Sequence, residues 1–138
     1  MKPVFMHHLP FTHITITFII LMLPSMIALV YFLHREKLTI SAWTLAPIFS
    51  FLTTALIYAT MYTGSLDFDY GQEYLPKDAV SAHSDLAEIL LIISIISVVL
   101  AVLGRKRKTI RLLYLICLSV MVGITLKVIL LGTVIVYR

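Results

Sequence analysis

Apolar residues run along this chain in four long blocks separated by short clusters of charge. Residues 14–33, 40–66 and 112–126 contain no Asp, Glu, Lys, Arg or His. Residues 86–104 contain Glu88 alone, and Lys127 is the only charge between Leu112 and Tyr137. A helix needs about 20 mostly apolar residues to cross a bilayer. The pattern therefore predicts an all-α chain, a four-helix transmembrane bundle with spans over about residues 10–33, 41–62, 79–104 and 112–137. The connections are short, so residues 1–138 are expected to form a single four-span membrane domain. Pro10 suits a first helical turn, where its missing N–H costs nothing. Pro24 is expected to kink the first span. Trp43 is expected at one membrane interface and Tyr58 and Tyr62 at the other. The longest connection, residues 63–76, reads as a loop carrying Asp67, Asp69 and Glu73. Gly104 ends the third span before the basic turn of Arg105, Lys106, Arg107 and Lys108.

Composition strengthens the membrane reading. Of 138 residues, 60% are hydrophobic and 13% charged, against roughly 25% charged in soluble domains; mean hydropathy is +1.01. The first apolar run is too long for a signal-peptide core and no A-x-A site follows it, so it is read as a retained helix. The single Cys117 lies inside the fourth span and reads as a packing residue. A net charge of +4 does not point to nucleic acid, because the basic residues flank apolar spans and act as topology signals. Seven lie in the first and third connections (Arg35, Lys37, Arg105, Lys106, Arg107, Lys108 and Arg111), and three on the opposite side (Lys2, Lys77 and Arg138). That bias places the first and third connections in the cytoplasm and both termini outside a bacterial inner (plasma) membrane. The partners this implies are membrane lipid and other membrane proteins.

Four of the five histidines then fall on one side. His7, His8 and His13 sit at the outer end of the first span and His83 at the outer end of the third, whereas His34 lies at the cytoplasmic end. Imidazole is the commonest metal ligand, and bundle cores commonly house cofactors between facing helices. Thr17, Ile20 and Pro24 share the face of His13, and Ala87, Leu90, Ser94 and Ser97 share that of His83. Small residues there leave room for a flat ring, but they equally serve close packing of membrane helices. Within the membrane, an antiparallel hairpin centred between Arg107 and Lys108 brings Glu88 level with Lys127. Isolated charges in hydrocarbon are costly, so either the two form a charge pair or Lys127 snorkels and Glu88 reaches the interface. There is no HExxH, GxSxG or phosphate-binding loop.

Three short motifs carry a resemblance. His8-Leu9-Pro10-Phe11-Thr12-His13-Ile14 resembles the H-x4-H opening of the DUF2231 family of small four-span bacterial membrane proteins. Thr63-Gly64-Ser65-Leu66-Asp67 is similar to that family's Thr-Gly-x-x-Asp after the second span, and Ala82-His83 to its Ala-His at the start of the third. Leu9 and Thr15 stand where the family pattern has proline. The resemblance implies haem or metal binding beside respiratory electron transfer, with His8, His13 and His83 as the matching positions and Asp67 as a loop carboxylate.

Together these readings predict a haem-b-binding membrane subunit that passes electrons near the outer face, to other subunits or to a cytochrome partner. His13 and His83 are the expected axial ligands of the haem iron. His8, about 140° further round an ideal helix, is the alternate ligand or the partner of a propionate together with Lys77. Two axial histidines leave no open iron position, so the chain is not expected to be an enzyme on its own. Two alternatives stand beside this reading. One is a non-catalytic accessory subunit of a respiratory or photosynthetic membrane complex. The other is a proton or transition-metal carrier using the histidines with Glu88 and Lys127.

Overall fold

The computed structural model describes residues 8–71 and 77–136; Lys2, His7, Glu73 and Arg138 lie outside the described residues. Four helices account for nearly all of them: α1 (His8–His34), α2 (Leu45–Gly71), α3 (Lys77–Gly104) and α4 (Lys108–Val136), with a 3-10 turn at Ile40–Thr44 leading into α2. Each is long and apolar enough to cross a membrane. At about 1.5 Å per residue they reach roughly 40 Å, beyond a hydrocarbon core of about 30 Å. α1 packs against α2 and α4, and α3 against the same two. The backbones of α1 and α3, and those of α2 and α4, do not come close, and only side chains meet across each diagonal. The bundle is thus a square, with α1 and α3 on one diagonal and α2 and α4 on the other.

One periodicity builds this square. The buried residues of α1 are Thr15, Ile19, Met22, Met26 and Leu29, spaced alternately by four and three. α3 repeats the spacing with Leu90, Ser94, Ser97, Ala101 and Gly104. On the second diagonal Ala46, Ser50, Thr53 and Ile57 of α2 face Tyr114, Leu118, Met121 and Thr125 of α4. A sustained repeat of this kind is the seam of a left-handed bundle. Its members are small or hydroxylated to an unusual degree, which lets the backbones approach. Most of the hydroxyls are satisfied within their own helices: Thr53 donates to Phe49 O at 2.7 Å, Ser97 to Ser94 O at 2.7 Å and Thr125 to Met121 O at 2.8 Å, whereas Thr15 and Ser50 bond across to another helix. The large apolar side chains face outward instead, Phe51 at 69% exposure and Leu130 at 66% among them.

Two features differ from expectation. Trp43 does not lie in an aromatic belt; it is fully buried. Its Nε1 donates to Ala101 O at 2.7 Å, and its ring meets Tyr114 edge-on at 5.6 Å. The Arg111 guanidinium lies over the ring, 5.3 Å from its centre, and donates to Gly104 O at 2.8 Å. The second difference is the length of α2. It continues to Gly71, so Thr63, Ser65, Asp67 and Asp69 are helical rather than looped. Thr63 and Ser65 hold that helix by donating to Ala59 O and Tyr62 O. α1 continues as one helix through Pro24. It ends with Lys37 N bonded to Phe32 O and Glu36 N to Leu33 O. Glu36 there takes a φ of 55°, the left-handed closing position that glycine more often fills.

The tightest approach is at Gly104, where an added Cβ would stand 2.8 Å from Trp43 Cζ2. The indole is pinned by its bond to Ala101 and by its contacts with Tyr114 and Arg111. Overpacking a close contact costs typically 1–3 kcal/mol, more than the roughly 1 kcal/mol a helix gains when alanine replaces glycine. Gly104→Ala should therefore lower the thermal midpoint of the detergent-solubilised protein. A raised midpoint would show that the indole is free to move.

Candidate functional site

Following the seam of each helix to the end opposite Trp43 leads to one level of the bundle. Seven residues before Thr15 on α1 stands His8, and seven before Leu90 on α3 stands His83. On α2 the seam continues from Ile57 through Thr60 to Gly64 and Asp67, and on α4 from Thr125 through Val128 to Gly132. Two histidines thus lie on one diagonal of the square and two glycines on the other.

His8 is held by α2. Its backbone N–H donates to Asp67 Oδ2 at 2.8 Å and its ring Nδ1 lies 2.9 Å from Thr60 O. A carbonyl can only accept, so Nδ1 carries the proton and Nε2 keeps its lone pair. A hydrogen bond from the second ring nitrogen to a carbonyl is how ligating histidines are ordinarily oriented. Thr60 is fixed in turn, its hydroxyl donating to Leu56 O at 2.8 Å and accepting from Thr15 Oγ1 at 2.7 Å. Asp67 is only 3% exposed. Its carboxylate meets the first turn of α1, where unpaired N–H groups and the helix dipole favour negative charge. The expected loop carboxylate is therefore a buried anchor for the start of α1.

His83 reaches toward His8 from the diagonal helix. The ring centroids are 6.3 Å apart and the planes cross at 76°. His83 packs over Gly132, where a Cβ would stand 3.6 Å from its Cε1, and the Val128 carbonyl lies beside the ring. Its Nδ1 is buried, and among the described residues no partner lies within 3.5 Å in hydrogen-bonding geometry. Such an atom is uncommon, since nearly all buried polar groups find a partner.

The other expected residues lie elsewhere. His13 is exposed and lines a shallow outer groove with Ile14, Thr17 and Phe18. Thr17, Ile20 and Pro24, read as its cofactor face, are exposed as well. The cause is phase: His13 falls off the seam that carries His8, Thr15 and Ile19, so the bundle does not bring it to His83. Glu88 and Lys127 do lie level on neighbouring helices, as the contact of His83 with Gly132 in the same register requires. Both side chains are exposed on the outside of the bundle, however, and no ion pair joins them. His34 is exposed at the far end, and Lys77 is exposed at the start of α3. Thr60, Gly64 and Gly132 were not anticipated as site residues; the signal for them was the phase of the hydroxyl and small-residue repeat. Among the described residues no three His, Cys, Asp or Glu side chains converge.

Compared with known proteins, the chain matches no family model, no curated protein and no solved structure.

The glycines give a direct check on the packing of this level. A Cβ at Gly64 would stand 3.0 Å from His8 Nδ1 and 3.1 Å from its Cε1, whereas nothing lies within 4 Å of one at Gly123. Gly123→Ala should gain up to about 1 kcal/mol from helix propensity. Gly64→Ala should lose about 1 kcal/mol instead, because the ring must leave its hydrogen bond to Thr60 O. Thermal midpoints of the two variants in one detergent measure the contrast; equal midpoints would remove His8 from this position.

Proposed function

We propose that His8 and His83 are the axial ligands of one b-type haem, and that the chain is an electron-transfer subunit of the membrane. The observation that carries this reading is the meeting of two imidazoles from diagonal helices, the buried Nδ1 of His83 lacking a well-placed hydrogen-bond partner among the described residues. A transition metal held by protein alone usually takes three or four donors. A porphyrin supplies four nitrogens and asks the protein for two, which is the donor set this level offers. The haem would contribute reversible one-electron chemistry; the chain's part is to set ligand identity, burial and polarity around the iron. The Thr60 carbonyl fixes the tautomer and direction of His8. Asp67 anchors the first turn of α1 that carries it, and Gly64 and Gly132 keep the second diagonal free of side chains. Ligation from both sides favours electron transfer over oxygen chemistry, so this role is that of a carrier rather than an enzyme.

The protein produced with haem supplied should show a six-coordinate, low-spin spectrum with a sharp reduced α-band. His8→Ala and His83→Ala should each abolish that low-spin spectrum, and His13→Ala should leave it intact. A colourless wild-type protein, or a low-spin spectrum surviving in both single variants, would overturn the assignment.

We further infer that the His8 end faces outward from a bacterial inner membrane, supported by the cluster of cations at the opposite end. With Cys117 replaced by Ser, an impermeant thiol reagent applied to intact cells should label Ser81→Cys and spare Thr109→Cys. The reverse labelling would invert the topology.

A further inference from the structure

The end of the bundle opposite the histidines carries a second feature that electron transfer does not use. Between α2 and α3 runs a groove lined by Trp43, Thr44, Pro47, Ala101, Val102 and Arg105. Its floor is Trp43 and Ala101, both fully buried, and its walls include the exposed Thr44 and Val102. The groove opens on the side of the bundle that faces lipid, and its interior is mainly apolar. Arg105 stands at its rim, just past the last turn of α3, where the chain leaves the membrane.

Two arginines flank this groove, in different states. Arg111 is engaged: it stacks on the indole and donates to Gly104 O. The Arg105 side chain is exposed and makes no hydrogen bond or ion pair among the described residues. Lys106, Arg107 and Lys108 follow directly, and Arg35 and Lys37 belong to the same end of the bundle, where Glu36 is the one acidic residue among the described residues. Positive charge at a membrane surface attracts anionic headgroups, and basic pockets between transmembrane helices bind them specifically. Topology alone asks only for cations somewhere in the turn. It does not ask for one at the mouth of an apolar groove.

We propose that this groove is a binding site for an anionic phospholipid, with an acyl chain lying over Trp43, Ala101 and Val102 and the phosphate held by Arg105. A zwitterionic lipid fits the apolar part equally well, but its headgroup carries a cation that Arg105 repels. The site therefore selects by charge and is filled by shape. Occupancy would fix the depth of the bundle and add packing at the junction of α2 and α3.

Trp43 is the single tryptophan of the chain, so its fluorescence reads the site directly. The full-length protein is placed in phosphatidylcholine vesicles with a minor fraction of lipid brominated at acyl positions 6 and 7. Brominated phosphatidylglycerol should quench Trp43 more than brominated phosphatidylcholine at equal mole fraction. Arg105→Gln should reduce the preference about fivefold, the scale of one basic residue at a membrane surface, whereas Lys108→Gln should reduce it less. Inorganic phosphate at matched ionic strength should not displace the brominated lipid. Equal quenching by the two lipids, or a preference unchanged by Arg105→Gln, would overturn the site. Displacement by phosphate would overturn the lipid in favour of a free anion.

Discussion

Close approach of helix backbones along a seam of small and hydroxylated residues is the constraint on which the rest of this structure depends. In lipid the apolar effect does not drive helices together, because a leucine is as comfortable against an acyl chain as against another leucine. What distinguishes the inside of this bundle is therefore not hydrophobicity but the size and polarity of its contacts. Ser50, Thr53, Ser94, Ser97 and Thr125 are all buried, while isoleucines and leucines cover the outside. The hydroxyls bond mostly within their own helices, so they admit a near neighbour without leaving a polar group unsatisfied. Where a larger side chain enters the interior it brings a specific partner, as Trp43 does with Ala101 and Tyr114 with Ser50.

That constraint explains which parts of the molecule were legible in its sequence. The number of helices and their apolar spans follow from apolar run length alone, and both were readable. Helix phase was not, because in a membrane helix both the core and the lipid face are apolar. His13 looked suitable because it lies about one turn inside the helix end. His8 lies on the seam because it stands seven residues before Thr15, and only the spacing of the small and hydroxyl residues reveals this. On α3 the same spacing put His83 in phase with Leu90, Ser94 and Ser97. One histidine of the interior pair was recognisable and the other was masked by a neighbour with equal chemistry.

The end of α2 illustrates a different limit. Thr63, Gly64, Ser65, Asp67 and Asp69 have the composition of a loop, and in water many of them would compete with a helix for backbone hydrogen bonds. At the edge of a bilayer the competition changes. The hydroxyls bond back to carbonyls one turn earlier in the same helix, and Asp67 gains a partner that no local rule supplies, the first N–H of α1. The helix extends because a residue 59 positions away needs it to. The glycine in this stretch is equally non-local in purpose, since it is the His8 ring that lies where a Cβ would be.

The charges complete the contrast between the two ends. Asp67 is buried and anchored, whereas Glu88 and Lys127 face outward with no bond between them. Sequence register placed the latter two level, and register is what the fold preserves; direction around each helix was again the missing coordinate. An exposed carboxylate and ammonium inside the apolar span are costly unless something polar meets them. Their outward direction sets them apart from the histidine level, whose polar groups turn inward. The bundle thus keeps its histidines at one end, bound to the seam, and its cations at the other, around a buried tryptophan. The helices between them need only transmit position. A change in helix phase at either end would disturb both, because one seam runs through them all.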